Sequence, residues 1–227
     1  MKAAGAIFKH QIWHLLSFTI LIVGIKLYLA STLSTLDGSF WNVSTKSWFW
    51  LAIAIPVAHQ IYVWLVWRLE LYHRTFTKRF GVGRSFRVYA AGFSLLFVSR
   101  LIAIIVLSIS NKGTLPLSPV IAYCIAAFIT PPVVYLFYSA KKYFTVERAY
   151  GIDHFDKDYC EPYVKRGIFK YTNNGMYVFG LMILYLPGLV LQSEAALLAA
   201  LFNHVYIWVH YYFTERPDMV EIYGSTP

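Results

Sequence analysis

Six runs of this chain are apolar and almost free of charge: residues 11–31, 48–67, 87–109, 119–140, 176–192 and 195–213. A helix rises 1.5 Å per residue, so about 20 apolar residues cross the hydrocarbon of a bilayer. The runs are continuous rather than alternating, which argues against the strands of a membrane barrel. The expectation is an all-α, polytopic membrane helical bundle of six spans. Only Gln192–Glu194 separates the last two runs, so they read as a C-terminal helical hairpin whose tip reaches the far side. Charged residues make up 14% of the chain and mean hydropathy is +0.53, too few charges to cover a water-facing surface.

Sixteen of the twenty Lys and Arg fall in the N-terminus, the second loop, the fourth loop and the tail, all on one side of the six-span arrangement. Lys46 and Lys112 alone face the other side, and Lys26 and Arg100 lie inside runs. The positive-inside rule then puts both termini and the long fourth loop in the cytoplasm, of a bacterial inner membrane or an endoplasmic reticulum. The net charge of +9 is read as basic loops beside an anionic leaflet, not as a nucleic-acid surface. Cys124 and Cys160 form no disulfide framework and no metal-ligand pattern. The first run is too long for the apolar region of a cleaved signal peptide. Asn42-Val-Ser44 is a short sequon close to the membrane and carries little weight.

Polar residues inside the runs are expected to face protein or a water-filled space. His59 and Gln60 read as an interhelical hydrogen bond. Arg100 stands about 20 Å up its helix from the cytoplasmic end; it is expected to snorkel to the outer surface or to pair with a carbonyl. Pro131-Pro132 is expected to kink the fourth run. On the sixth run Asn203, Ile207, His210, Tyr211 and Thr214 fall on one stripe, with His204 and Glu215 at its edge.

The segment 141–175 is long for a connector, and its aromatics, Tyr163 among them, suggest that it lies at the interface or folds back over a site. Asp153, His154, Asp156 and Asp158 read as a solvated acidic turn, since their spacing matches no metal motif. Asn173-Asn174-Gly175 reads as an N-cap before a helix. Free N–H groups there would favour an anion. Tyr177 and the small Gly180 would let a planar ligand approach the backbone. Glu215, across from them, offers a carboxylate to ribose hydroxyls or a cation. A ligand with a carboxylate, a ribose, a base and a positive centre, such as S-adenosylmethionine, has the matching groups; an ordinary capped helix explains 173–177 equally well.

At these residues the chain resembles the integral-membrane methyltransferases that include phosphatidylethanolamine N-methyltransferase and isoprenylcysteine carboxyl methyltransferase. Two motifs carry the resemblance. Gly167-Ile-Phe-Lys-Tyr171-Thr-Asn-Asn-Gly-Met-Tyr177-Val-Phe-Gly180 is similar to the family's G-x-[FY]-x-Y-x-R-H-P-x-Y-x-G region. Glu215-Arg-Pro217-Asp-Met-Val-Glu-Ile-Tyr223-Gly224 is similar to its tail. The family's R-H-P is Asn173-Asn174-Gly175 here, the second acid of its E-E is Arg216, and Tyr150-Gly151-Ile-Asp153 stands for a Gly-rich element. The resemblance covers residues 145–224. It implies a division into a four-helix transmembrane region, 1–140, and a catalytic region of loop, hairpin and tail, 141–227. It also implies S-adenosylmethionine as cofactor, held by Tyr171, Asn173, Asn174, Gly175, Met176, Tyr177, Gly180, Glu215 and Arg216. His210 and Glu215 are the candidate proton acceptors, and the acceptor substrate is a membrane lipid, foremost the amine of an aminophospholipid such as phosphatidylethanolamine. A prenylated or other lipophilic acceptor, a non-catalytic lipid- or partner-binding protein of the same fold, and a transporter are the alternatives.

Overall fold

The computed structural model describes residues 2–32, 35–159, 161, 162 and 164–224. Cys160 and Tyr163, singled out above, lie outside the described residues. The chain is helical almost throughout. A short α1 (Lys2–Ile7) leads into α2 (Gln11–Ser31). A two-residue hairpin, β1 (Ser39–Phe40) and β2 (Val43–Ser44), turns at Trp41 and Asn42, both left-handed with φ of 52° and 59° as such tight hairpins require. Then come α3 (Thr45–His73), a single turn α4 (Thr77–Phe80), α5 (Val82–Ser110) and α6 (Pro119–Tyr143). The C-terminal part is shorter pieces: α7 (Val146–Ala149), α8 (Gly175–Val178), α9 (Tyr185–Val190), α10 (Glu194–His210) and α11 (Arg216–Tyr223).

Among the described residues, Gly5–Ser31, α3, α5 and α6 are the helices long and apolar enough to cross a membrane. The fifth apolar run is no single helix. It is α8, a 3₁₀ stretch over Gly180–Leu184, and α9, which holds Pro187 and Gly188. The sixth is α10, only 17 residues long, extended by a π-turn over Tyr211–Glu215 into α11. α6 stays helical through Pro131-Pro132.

α10 is the centre of the bundle and packs against α2, α3, α5 and α9. Its first half carries Ala195, Ala196, Ala199 and Ala200, each 0% exposed. In a membrane, lipid tails compete equally for apolar side chains, so close backbone approach at small residues holds helices together. Large side chains fill the rest of this core: Phe49 from α3, Ile104 and Leu107 from α5, Phe202 and Tyr206 from α10. α3 and α5 run side by side along most of their length, and α6 lies against α9.

Two polar clusters fix the ends of this packing. At the end where α5 stops, the buried Asn111 side chain donates to the carbonyls of Thr35 and Asp37, 3.1 Å each. Its Oδ1 accepts from Thr114 Oγ1, Ser193 Oγ and the Ala195 N–H, which anchors the hairpin tip before α10. At the other end Arg68 of α3, 0% exposed, pairs with Asp218 of α11 at 3.1 Å. Arg68 also donates to the carbonyls of Ile7, Lys9 and Phe213. The Phe213 carbonyl is free for this because Pro217, four residues on, has no N–H to give it and its ring would crowd it in a regular helix. The π-turn absorbs that break.

Breaking one half of such a pair leaves an uncompensated buried charge. Asp218→Asn or Arg68→Met is expected to cost about 3–5 kcal/mol, and the Arg68→Met/Asp218→Leu double variant less than either single change. Thermal unfolding in detergent measures the order; a double variant as damaged as the worse single one would count against the pair.

Candidate functional site

A cavity of about 500 Å³ lies between the middle of α3 and α5, the end of α6, and the C-terminal pieces. The C-terminal pieces wall it with polar groups. Asn173 and Asn174 come from the turn before α8, and Tyr177 from α8. The π-turn brings Tyr211 and Glu215, and α11 brings Met219 and Tyr223. α3 and α5 wall it from inside the bundle with His59, Gln60, Trp67, Phe93, Phe97 and Arg100.

The segment 144–153 folds back over this cavity, as one of the two expectations for the fourth loop had it. Gly151 makes the fold tight. Its φ is +80°, and a Cβ there would stand 2.5 Å from the Trp67 ring. The following 3₁₀ turn buries Asp153 and His154, at 8% and 3% exposed. The expectation of a solvated acidic turn therefore holds only for its second half, where the half-buried Asp156 accepts from the N–H of the exposed Asp158. His154 stacks on Trp67 with ring centroids 4.1 Å apart and sets Nε2 3.7 Å from Asp218. Tyr223 donates to Asp153 Oδ2 at 2.8 Å, while Oδ1 has no hydrogen-bond partner. Asp153 thus brings a second carboxylate to the cavity. Its sequence signal was the glycine two residues before it, whose positive φ turns the chain inward. Among the described residues no group of three His, Cys, Asp or Glu could hold a metal ion.

Asn173, Asn174, Met176, Tyr177, Gly180, His210, Glu215 and Arg216 all line the cavity. Tyr171 and Gly175 do not. Tyr171 is 76% exposed, and Gly175 is buried against the Phe169 ring. The Asn-Asn-Gly cap differs from its expected form. Asn174 holds the N-cap position without a side-chain capping bond, and Asn173 accepts from Lys165 Nζ at 2.6 Å. α8 is one turn long, too short for much of a dipole. What these residues present to the cavity is therefore amide groups rather than a helix end. Gly180 also has a packing reason. A Cβ there would stand 2.8 Å from Leu136 of α6, so the missing side chain lets α6 close against the 3₁₀ stretch.

The stripe on α10 is buried along its length. Asn203 donates to the Ala199 and Ala52 carbonyls, and Thr214 accepts from Gln11. Ile207, His210 and Tyr211 reach the cavity. Both ring nitrogens of His210 lack a hydrogen-bond partner. Tyr177 donates its hydroxyl to Glu215 Oε2. Burial pushes the Glu215 carboxyl up to about 7; the Tyr177 hydrogen bond and His154 pull it down, and Asp153 and Asp218 push it further up. His59 and Gln60 form no interhelical hydrogen bond through His59 Nδ1, His59 Nε2 or Gln60 Nε2; these atoms are unpaired at the cavity wall. Arg100 does not snorkel, and its Nε and Nη2 have no hydrogen-bond partner among the described residues. It is 3% exposed and turns inward.

Residues 120–226, just under half of the chain, match the family model described as phospholipid methyltransferase. The match takes in α6, the loop, the hairpin and the tail, and so the whole C-terminal wall of the cavity. No curated protein and no solved structure matches the chain.

Gly180→Ala separates packing from ligand contact. Overpacking against Leu136 is expected to cost about 1–3 kcal/mol, and the Gly180→Ala/Leu136→Ala double variant to cost less than the sum of the two single changes. Denaturation of the three variants reads this out. Unchanged stability in Gly180→Ala would return the glycine to a purely ligand-facing role.

Proposed function

We propose that this protein is an S-adenosylmethionine-dependent methyltransferase whose acceptor is a membrane lipid, foremost the amine of an aminophospholipid such as phosphatidylethanolamine. The observation that carries this reading is Glu215. Its carboxylate stands in a cavity wall that belongs to the matched phospholipid methyltransferase segment, one oxygen held by Tyr177, beside the amides of Asn173 and Asn174. The donor set suits the cofactor: carboxylates at Glu215 and Asp153 for a cation or ribose hydroxyls, amides at Asn173 and Asn174 for a carboxylate, and Tyr177 and Tyr211 rings for a base. When bound, S-adenosylmethionine supplies an electrophilic methyl group on a sulfonium centre.

The residues of the chain then have separable tasks. Asn173, Asn174, Met176 and Arg216 hold the cofactor at the loop end. Tyr177 fixes the Glu215 carboxylate, and segment 144–153 excludes water by covering the cavity. An ethanolamine headgroup is mostly ammonium at neutral pH, so one proton must leave before the nitrogen can attack. His210, with two unpaired ring nitrogens, and Glu215, whose carboxyl burial pushes up to about 7, are the proposed proton acceptors. The charge of the loops supports a site that faces the cytoplasm, and we take 141–227 as the catalytic region on a four-helix region 1–140.

Calorimetry with S-adenosylhomocysteine tests the cofactor site. Micromolar binding is expected for wild type, weakened at least about tenfold by Glu215→Ala, as loss of a charged hydrogen-bonding partner implies. No binding to folded wild type in native lipid would remove the reading.

The pH profile tests the chemistry. Activity is expected to rise as Glu215 ionises through about pH 7. Tyr177→Phe deletes a hydrogen bond that favours the ionised form, so the rising limb should move to higher pH. A limb that stays in place, or moves down, would exclude Glu215 as the titrating group. His210→Ala is expected to lower kcat while leaving S-adenosylhomocysteine affinity nearly unchanged; an unaltered rate at every pH would take His210 out of the mechanism. A carboxylate acceptor needs no deprotonation and would leave the profile flat.

A further inference from the structure

Arg100 has no task in the function proposed above. It lies in the middle of α5, buried and facing the cavity, and neither Nε nor Nη2 has a hydrogen-bond partner. Its electrostatic neighbours include the hydroxyls of Tyr206 and Tyr177 and the rings of His59 and His210, and among the described residues it forms no ion pair. The carboxylates of the cavity do not pair with it: Glu215 accepts from Tyr177 through Oε2 and Asp153 from Tyr223 through Oδ2. Other unpaired polar atoms face the same space from α3. His59 has both ring nitrogens open and Gln60 its Nε2, each residue at most 3% exposed. A guanidinium enclosed in a bundle without an anion is a strongly unfavourable arrangement, and so is a buried amide with no acceptor. One anionic ligand can accept from the guanidinium edge, from the Gln60 amide and from whichever His59 ring nitrogen carries the proton.

We propose that Arg100, Gln60 and His59 form a recognition site for the phosphodiester of a membrane phospholipid. Two N–H groups on one edge of a guanidinium match two phosphate oxygens side by side. A planar carboxylate is satisfied by that fork alone, whereas the donors here come from two helices and suit a tetrahedral group. The route for the lipid is also present. Phe97 of α5 and Phe137 of α6 line the cavity and are 43% and 44% exposed, so each ring reaches from the cavity to the outer face of the bundle. The headgroup lies in the cavity and the acyl chains leave between these two rings. The site names the acceptor class of the methyltransferase proposed above and rests on that reading for its purpose, but it binds lipid without the cofactor.

Titration of detergent-purified protein with three single-chain amphiphiles of equal length tests it: a lysophosphatidylethanolamine, an alkylamine and a fatty acid. Wild type is expected to bind the lysophospholipid best, and Arg100→Gln to bind it about tenfold or more weakly, with alkylamine binding the same in both. Arg100→Lys keeps the charge and loses the fork, so it should fall between them. In delipidated protein Arg100→Leu is expected to unfold at a higher temperature than wild type, because it removes an unpaired buried charge. That result shows the variants fold. Equal lysophospholipid affinity in wild type and Arg100→Gln overturns the site, and so does a wild-type preference for the fatty acid. S-adenosylhomocysteine calorimetry on the same samples keeps a failure of the cofactor reading apart from a failure of the phosphate site.

Discussion

The site depends on one buried ion pair, Arg68 with Asp218. Arg68 gathers the two ends of the chain: the end of α1 on one side, and the π-turn with the α11 that follows it on the other. The pair is possible because Pro217 releases the Phe213 carbonyl, which then accepts from both Arg68 and Gln11. The same break widens the helix into the π-turn that carries Tyr211 and Glu215, a kind of local irregularity often found where a helix must aim side chains. Asp218 in turn sits 3.7 Å from His154, which stacks on Trp67 in the cavity wall. A proline, an arginine and an aspartate thereby set the position of the carboxylate on which the proposed chemistry turns.

Asn111 does the corresponding work at the opposite end of α10. A single amide side chain donates to two carbonyls and accepts from three donors, and so ties the hairpin tip to the end of α5 and to the segment after α2. Between these two anchors the alanine face of α10 packs with little shape of its own. The bundle therefore has polar clusters at its ends, small-residue packing in the middle and a cavity beside the lower anchor. That distribution follows from the solvent. Inside a bilayer apolar contact does not distinguish a neighbouring helix from lipid, so satisfied hydrogen bonds and close approach must do so.

The helical class, the four long helices and the hairpin order were legible because continuous apolar runs have few other solutions. The broken fifth run was not. A window count registers Gly180, Pro187 and Gly188 as small interruptions in an apolar stretch, yet each changes how the backbone packs; Gly180 admits Leu136 and Gly188 admits Leu197. The cavity residues on the tail and the Asn-Asn turn could be named from spacing, since the motifs are local. Asp153 and His154 could not, because their burial is set by contact with Trp67 and Asp218, 86 and 64 or more positions away. Arg100 was read on its own helix alone, which offers only snorkelling or a backbone partner; that His59 and Gln60 share its surroundings is a property of the α3–α5 pair.

The division of the cavity between the two halves of the chain has a chemical consequence. The wall inside the matched segment supplies carboxylates, amides, tyrosines and the arginines Arg148 and Arg216, groups that suit a nucleoside with both a cationic centre and a carboxylate. The wall from α3 and α5, outside that segment, supplies a guanidinium, an imidazole, an amide and aromatic rings, groups that suit an anionic headgroup on an apolar tail. On the proposed function, the methyl donor is therefore read by the C-terminal half and the acceptor by the N-terminal half. Tyr177 and His210 stand where the two meet, one within electrostatic reach of both Glu215 and Arg100, the other of both His59 and Arg100. A change of acceptor can then arise by substitutions on α3 and α5 alone, without disturbing the Arg68–Asp218 clamp or the carboxylate it positions. On the proposed function a zwitterionic headgroup lies with its phosphate toward Arg100 and its amine toward Glu215, the polarity that brings the nitrogen to the proposed methyl donor.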